Sequence, residues 1–363
     1  MALWPEWLPI REDIVELKTY GAPQFSGVTS LNTNENPYSL PEEVVKDLLK
    51  ALPEVLLKLN RYPDRDAIEL RTALANYVNI QDKTKFALEN IWAANGSNEI
   101  LQALTLAFGE RGALGFVPSY SMHSLIAKIC GVTWRSGNRE ADFALDIEMA
   151  AKQILELKPS IVFVTSPNNP TGNALSLSEL KSLTLAAKKV RALLIVDEAY
   201  SEFSSELSAT NLISEMENLV VVRTMSKAFA LAGARLGYLI ANPKVVEALL
   251  LVRLPYHLSS PTQLIATIAL KNYEVLQKEV ELIKKERNRV STELSKMGFK
   301  VIPSDSNFLL FSGFSGSSEE VWKALLEKKV LIRDVGIPNH LRTTIGTPTE
   351  NNQFLAAIAF HRP

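Results

Sequence analysis

The sequence predicts an α/β protein with a mostly parallel sheet and a second, smaller α+β unit, and three observations carry that expectation. Between residues 91 and 240, short apolar runs alternate with amphipathic segments. The runs are too short for helices, and the segments between them carry apolar residues at helical spacing, so each strand is expected to be covered on both faces. A charged helical stretch from about 274 to 297 then leads into a shorter mixture of strands and helices, and a chain of 363 residues is long enough to divide.

In chain order, the first thirty residues are rich in Pro, Gly and aromatics, lack sustained periodicity and read as an arm. Residues 41–52 and 66–78 have helical spacing and are separated by the loop Asn60-Arg-Tyr-Pro-Asp64. Strands are expected at 113–117, 161–165, 193–196, 219–223 and 236–240, with helices that include 98–108 and 177–189. A helical segment at 243–253 and a break at 254–261 precede the long charged helix. Beyond it, strands are expected near 300–302, 307–311, 330–333 and 341–345, and helices near 319–327 and 349–360. The expected organisation is an arm at 1–30, a large unit at 31–253 and a small unit at 254–363.

Composition excludes several classes of function. The 39 basic and 40 acidic residues balance, so nothing in the totals points to nucleic acid or an anionic membrane. No stretch approaches the ~20 apolar residues of a membrane span, and the N-terminus lacks a basic, then apolar, leader pattern. The single cysteine, Cys130, cannot form an intrachain disulfide and reads as the buried end of a helix. A soluble cytoplasmic protein is expected. The four histidines are too scattered for metal-ligand spacing, and neither G-x-G-x-x-G nor G-x-x-x-x-G-K-[ST] occurs. No metal is expected.

The chemistry gathers around Thr224-Met-Ser-Lys-Ala-Phe-Ala-Leu-Ala-Gly-Ala-Arg-Leu-Gly237, where Lys227 sits among small, hydroxylic and apolar residues. A desolvated ammonium loses its proton easily, and a neutral amine attacks an aldehyde. Thr224 and Ser226 add hydroxyls, and Arg235 adds a fork suited to a phosphate. Pyridoxal 5′-phosphate is an aldehyde of that kind. Ala94-Asn-Gly-Ser-Asn98 opens a helix, where Ser97 and Asn98 would offer backbone N–H groups to an anion, although an ordinary N-cap explains the same residues. Ser166-Pro-Asn-Asn-Pro-Thr-Gly172 is a rigid turn after a buried strand, from which Asn169 would reach a ring hydroxyl. Asp197 ends another buried strand and needs a cation, which a pyridinium nitrogen would supply; Tyr200 would hydrogen-bond the ring hydroxyl.

Taken in register, Leu31-Asn-Thr-Asn-Glu-Asn-Pro-Tyr38, Asn60-Arg-Tyr-Pro-Asp64, Ser166 to Gly172, Val196-Asp-Glu-Ala-Tyr200, Thr224 to Gly233 and Leu341-Arg-Thr-Thr-Ile-Gly346 resemble blocks of the fold-type I pyridoxal-phosphate aminotransferases. More narrowly, they resemble the histidinol-phosphate aminotransferase family. The resemblance implies a large domain with a seven-stranded, mostly parallel sheet, and a ping-pong transamination of L-histidinol phosphate with 2-oxoglutarate, giving imidazole acetol phosphate and glutamate. It implies that Lys227, Asp197 and Tyr200 are catalytic and that Tyr120 stacks on the cofactor ring, where a buried core tyrosine is an equal reading of the residues alone. Tyr62 would reach the phosphate of a neighbouring subunit's cofactor, implying a homodimer. Arg342 would hold a substrate carboxylate, and Tyr20, Asn34, Tyr256 and Arg333 would complete the substrate pocket, with Tyr20 and Arg333 facing the distal phosphate. Tyr20-Gly-Ala-Pro and Arg333-Asp-Val-Gly-Ile also resemble a subgroup whose near relatives prefer aromatic amino acids, so a phenylalanine aminotransferase is the alternative. A non-catalytic regulator on the same fold would carry a basic helix-turn-helix segment, and none precedes residue 30.

Overall fold

The computed structural model describes residues 4–363 apart from 6 and 18, so the first residues of the N-terminus and Lys18 lie outside the description. The chain runs β1 (Thr29–Ser30), α1 (Glu42–Leu56), α2 (Ile68–Asp82), β2 (Ile91–Ala94), α3 (Ser97–Phe108), β3 (Ala113–Val117), α4 (Met122–Ile129) and β4 (Trp134–Asn138). It continues through α5 (Ile147–Leu157), β5 (Ile161–Thr165), α6 (Leu177–Lys189), β6 (Leu193–Asp197), β7 (Leu219–Thr224), β8 (Gly237–Ala241), α7 (Pro243–Leu249) and α8 (Ser260–Lys271). It closes with α9 (Tyr273–Lys296), β9 (Lys300–Val301), β10 (Phe308–Ser312), α10 (Ser318–Glu327), β11 (Val330–Leu331), β12 (Arg333–Asp334), β13 (His340–Thr344) and α11 (Pro348–Ile358).

Seven strands form one sheet in the order β2-β8-β7-β6-β5-β3-β4, in which only β8 runs against the rest. This is the seven-stranded, mostly parallel sheet that the resemblance implies. Central strands such as Ile161-Val-Phe-Val-Thr165 are buried at every position because helices cover both faces, which is why they read as unbroken apolar runs. The strands at 91–94 and 134–138 were not expected. The second is Trp134-Arg-Ser-Gly-Asn138, an edge strand with polar residues turned outward, so it lacks an apolar signature.

Helix α1 runs to Leu56, past the expected end at 52, with Pro53 inside its last turn. Helix α8 was also unexpected; Ser259 caps it by accepting from the Thr262 amide, with Pro261 in the first turn. Capping boxes open α6 (Ser176 with Glu179), α10 (Ser317 with Glu320) and α11 (Thr347 with Glu350). Cys130 ends α4 but is only half-buried, because the turn at Gly131 brings it toward the surface.

A four-stranded antiparallel sheet, β12-β13-β10-β9, packs with α9, α10 and α11. The end of the arm joins it: β1 pairs in parallel with β11, and Leu31 O accepts from the Thr344 amide at 2.9 Å. Residues 29–31 are therefore tied to the C-terminal sheet, across the boundary expected at residue 31. The two sheets are locked together by Arg287 of α9, whose guanidinium donates to Phe203 O and Ser306 O at 3.2 and 2.9 Å. Asp305 adds to this by accepting from the Ser205 amide and hydroxyl. Among the described residues no helix is long and apolar enough to cross a membrane.

Candidate active site

A cavity of about 540 Å³ opens at the carboxyl ends of β3, β5, β6 and β7 and is closed on its far side by the arm and the four-stranded sheet. Ligands of open α/β sheets lie at these strand ends because the backbone leaves the sheet there and exposes loops to a common space.

Asp197, the last residue of β6, is buried. His123, in the first turn of α4, places Nε2 3.0 Å from Asp197 Oδ2, and the Ala199 amide donates to Oδ1 at 3.2 Å. An ionised carboxylate only accepts, so the Nε2 proton points at Asp197. The imidazole is held by stacking on Phe163, with ring centroids 4.8 Å apart. Tyr120 meets the same imidazole edge-on at 5.5 Å, and its hydroxyl donates to Asn98 Oδ1 at 3.2 Å. Burial pushes the Tyr120 phenol up.

Lys227 follows β7 in a tight turn and projects into the cavity, where Nζ donates to the Thr33 carbonyl at 2.9 Å. Desolvation by burial, reinforced by the positive charge of Arg342, lowers its ammonium from the usual 10.5 to about 8. Tyr200 is buried against it, its hydroxyl accepting from Asn34 Nδ2 at 2.9 Å and Asn169 Nδ2 at 3.3 Å. Burial pushes this phenol up to about 12, against the opposing pull of Arg342.

The N-terminus of α3 forms a second corner. Gly96 has φ +82°, and a Cβ there would stand 2.7 Å from Arg235 Nη2, so glycine is what lets the guanidinium lie over the helix end. Gly237 likewise admits the Ser97 amide. Thr224 Oγ1 and Ser226 Oγ lie 3.0 Å apart on the facing turn. Unpaired helix N–H groups, a guanidinium and two hydroxyls make an anion cup, with Ser97 and Asn98 both in the wall.

Arg342 in β13 is buried, donating to Asn169 Oδ1 at 2.6 Å and to Asn32 O at 2.8 Å. Its Nε is buried without a partner, no carboxylate pairs with it among the described residues, and burial lowers it to about 10. Tyr20 and Arg333 line the same end of the cavity. Asn34, expected to touch substrate, holds a left-handed φ of 55° and exchanges hydrogen bonds with Tyr200 and Thr344.

The structure separates two expected residues from this set. Tyr256 does not line its own chain's cavity: its left-handed backbone at φ 56° turns the ring onto Tyr62, with centroids 4.5 Å apart. Tyr62 is 80% exposed beside it. Sequence reasoning missed His123, which lies in the first turn of α4 while Tyr120 stands in the loop before the helix, so no periodicity linked the two. It also missed the Thr33 carbonyl, a backbone group that no residue pattern reveals. Among the described residues no cluster of three His, Cys, Asp or Glu side chains is placed to hold a metal.

Residues 26–358 match the family described as aminotransferase class I and II. The chain is 52% identical over 355 residues to a histidinol-phosphate aminotransferase of Mycobacterium marinum, covering 97% of this chain and 92% of that protein. It is also 52% identical over 356 residues to the one from Mycolicibacterium vanbaalenii, covering 97% and 95%. Among solved structures, the histidinol-phosphate aminotransferase from Clostridium acetobutylicum superposes with a TM-score of 0.82 at 27% identity, covering 91% of this chain and 98% of that one.

Proposed function

The chain belongs to the class I and II aminotransferases, and from that premise we propose that it transaminates L-histidinol phosphate with 2-oxoglutarate, in histidine biosynthesis. The observation that carries this reading is the buried, unpaired guanidinium of Arg342 opposite the depressed ammonium of Lys227, with Arg333 at the same end. A phosphate dianion on a small amine, or a dicarboxylic 2-oxo acid, satisfies such a pocket.

The residues present fit pyridoxal 5′-phosphate. The cup that Gly96 keeps open under Arg235 suits its phosphate, and Ser97, Asn98, Thr224 and Ser226 supply further donors. Asp197, held by His123, faces the cavity as the partner for a protonated ring nitrogen, and Tyr120 flanks the ring face. Asn169 and Tyr200, hydrogen-bonded to each other, face the ring hydroxyl. Bound there, the cofactor supplies an electrophilic aldehyde and an electron-accepting ring.

The protein's own work is binding and proton transfer. With the cofactor bound, Lys227 would be the amine that holds its aldehyde and, as a neutral base, would take the Cα proton of the substrate. The Thr33 carbonyl holds Nζ within the cavity during this transfer. Arg342 orients the carboxylate or phosphate arm, while Tyr20 and Arg333 close the anion end and the arm excludes water. The test is formation of glutamate from L-histidinol phosphate and 2-oxoglutarate by the wild-type enzyme. A Lys227→Ala variant is expected to lose at least ~10⁴-fold of that rate and the bound cofactor's visible absorbance; turnover at the wild-type rate would refute the assignment.

We further propose a cytoplasmic homodimer whose active sites are shared. Leu57, Leu59 and Tyr62 stand exposed beside Leu251, Leu254 and Tyr256, an apolar surface of the kind that a second copy covers. Tyr62 then reaches the partner's cofactor phosphate. Mixing inactive Lys227→Ala with inactive Tyr62→Phe protein is expected to restore activity in heterodimers; a monomer by sedimentation, or a fully active Tyr62→Phe homodimer, would count against it.

A further inference from the structure

We propose that Glu35 selects the substrate's ring, accepting a hydrogen bond from an imidazole N–H that a phenyl ring cannot offer; this rests on the histidinol phosphate reading above. Glu35 follows directly on two residues that touch the reacting groups: the Thr33 carbonyl accepts from Lys227 Nζ at 2.9 Å, and Asn34 Nδ2 donates to the Tyr200 hydroxyl at 2.9 Å. Glu35 lines the cavity at its solvent-exposed mouth, and its carboxylate is steered by Thr33 Oγ1, which donates to Oε2 at 2.9 Å. Among the described residues Oε1 accepts no hydrogen bond. The cavity's other carboxylates are already engaged, Asp197 by His123 and the Ala199 amide, and Asp334 by the Gly336 amide. Asp334 is also adjacent to Arg333 in β12, at the anion end. Glu35 is thus the free acceptor at the lysine end.

A substrate whose amine-bearing carbon carries a phosphate ester on one arm and an imidazole on the other satisfies both ends at once. Its phosphate meets the guanidinium groups, and its ring N–H meets Glu35 as a charge-assisted hydrogen bond. A benzyl arm would cover that exposed carboxylate without offering it a partner, and sites built to hydrogen-bond a substrate group discriminate against analogues that lack it.

The test compares kcat and KM for L-histidinol phosphate and its phenyl analogue, 2-amino-3-phenylpropyl phosphate, with 2-oxoglutarate as acceptor. The two amines differ only in the ring. The wild-type enzyme is expected to prefer the imidazole by about 10- to 100-fold in kcat/KM, mostly through KM. Glu35→Gln, which keeps a neutral acceptor, should retain part of this preference, and Glu35→Ala should bring the ratio to within about 3-fold of unity. If Glu35→Ala does not fold, a fall in the ratio of at least ~5-fold in Glu35→Gln decides in favour, and a smaller one against. An unchanged ratio, or equal loss on both amines, overturns the role of Glu35 and leaves the assigned reaction standing. A wild-type enzyme that transaminates other donors but not histidinol phosphate overturns the reaction and this inference with it.

Discussion

At the seven-stranded sheet the cavity is walled by side chains that leave the ends of β6 and β7 and the start of α3, within a few residues of a buried strand. At the opposite end it is walled by Tyr20 from the arm, Asn32 to Glu35 from the segment after β1, and Arg333 and Arg342 from the C-terminal sheet. The first wall is rigid by construction, since its backbone groups continue a fully buried sheet. The second depends on the meeting of segments more than three hundred residues apart in sequence, as in the 2.8 Å bond from Arg342 to Asn32 O. The contrast separates two tasks: the sheet end holds what every turnover reuses, and the far end decides what is admitted.

The largest effect expected from this division is at the sheet end. Asp197→Asn removes the charge that keeps a ring nitrogen protonated and should lower kcat by about 10²–10⁴-fold with either amino donor. His123→Gln, which acts on Asp197 and not on the ring, should cost about 10-fold, the scale of one hydrogen bond to a charged group, and should also shift the cofactor's absorbance spectrum. An unchanged absorbance spectrum in His123→Gln would place His123 in packing alone.

A smaller effect concerns stability of the cofactor-free protein. Lys227 is lowered to about 8 in the fold from its usual 10.5, so between these values the unfolded chain binds more protons than the native one. Stability must therefore rise with pH across that window, by on the order of 2 kcal/mol once partial exposure to the cavity is allowed for. Below pH 8 the native lysine is charged and this gain is absent. Lys227→Met should be more stable than wild type at pH 7 and should lack this rise between pH 8 and 10 in thermal melts. Parallel pH profiles for the two proteins would contradict the burial of the ammonium.

The same contrast explains what the sequence revealed. Strand ends and the turns that follow them are local, so Asp197, Asn169 and Lys227 were readable from apolar runs broken by a carboxylate, an amide or a lysine. The seven-stranded sheet was legible wherever strands are buried on both faces, and β4 escaped because a polar edge strand carries no such run. The far wall was legible only through resemblance, because nothing local in Arg342 or Tyr20 announces a shared cavity. Tyr256 shows the limit of that resemblance, since its left-handed backbone carries it onto Tyr62 and out of its own chain's cavity. His123 was overlooked for a different reason: it was weighed as a metal ligand, and its partner Asp197 lies on a strand 74 residues away.

The claim that the far wall is built for a phosphate dianion and not for a single carboxylate is tested most directly by kcat/KM for L-histidinol phosphate and L-phenylalanine in the wild-type enzyme and in Arg333→Ala. The second guanidinium, left unpaired by phenylalanine's single carboxylate, costs several-fold to about 100-fold in selectivity. The wild-type enzyme should prefer histidinol phosphate, and Arg333→Ala should lose at least ~10-fold more activity on it than on phenylalanine. A wild-type preference for phenylalanine, or equal losses on the two donors in Arg333→Ala, would contradict the account.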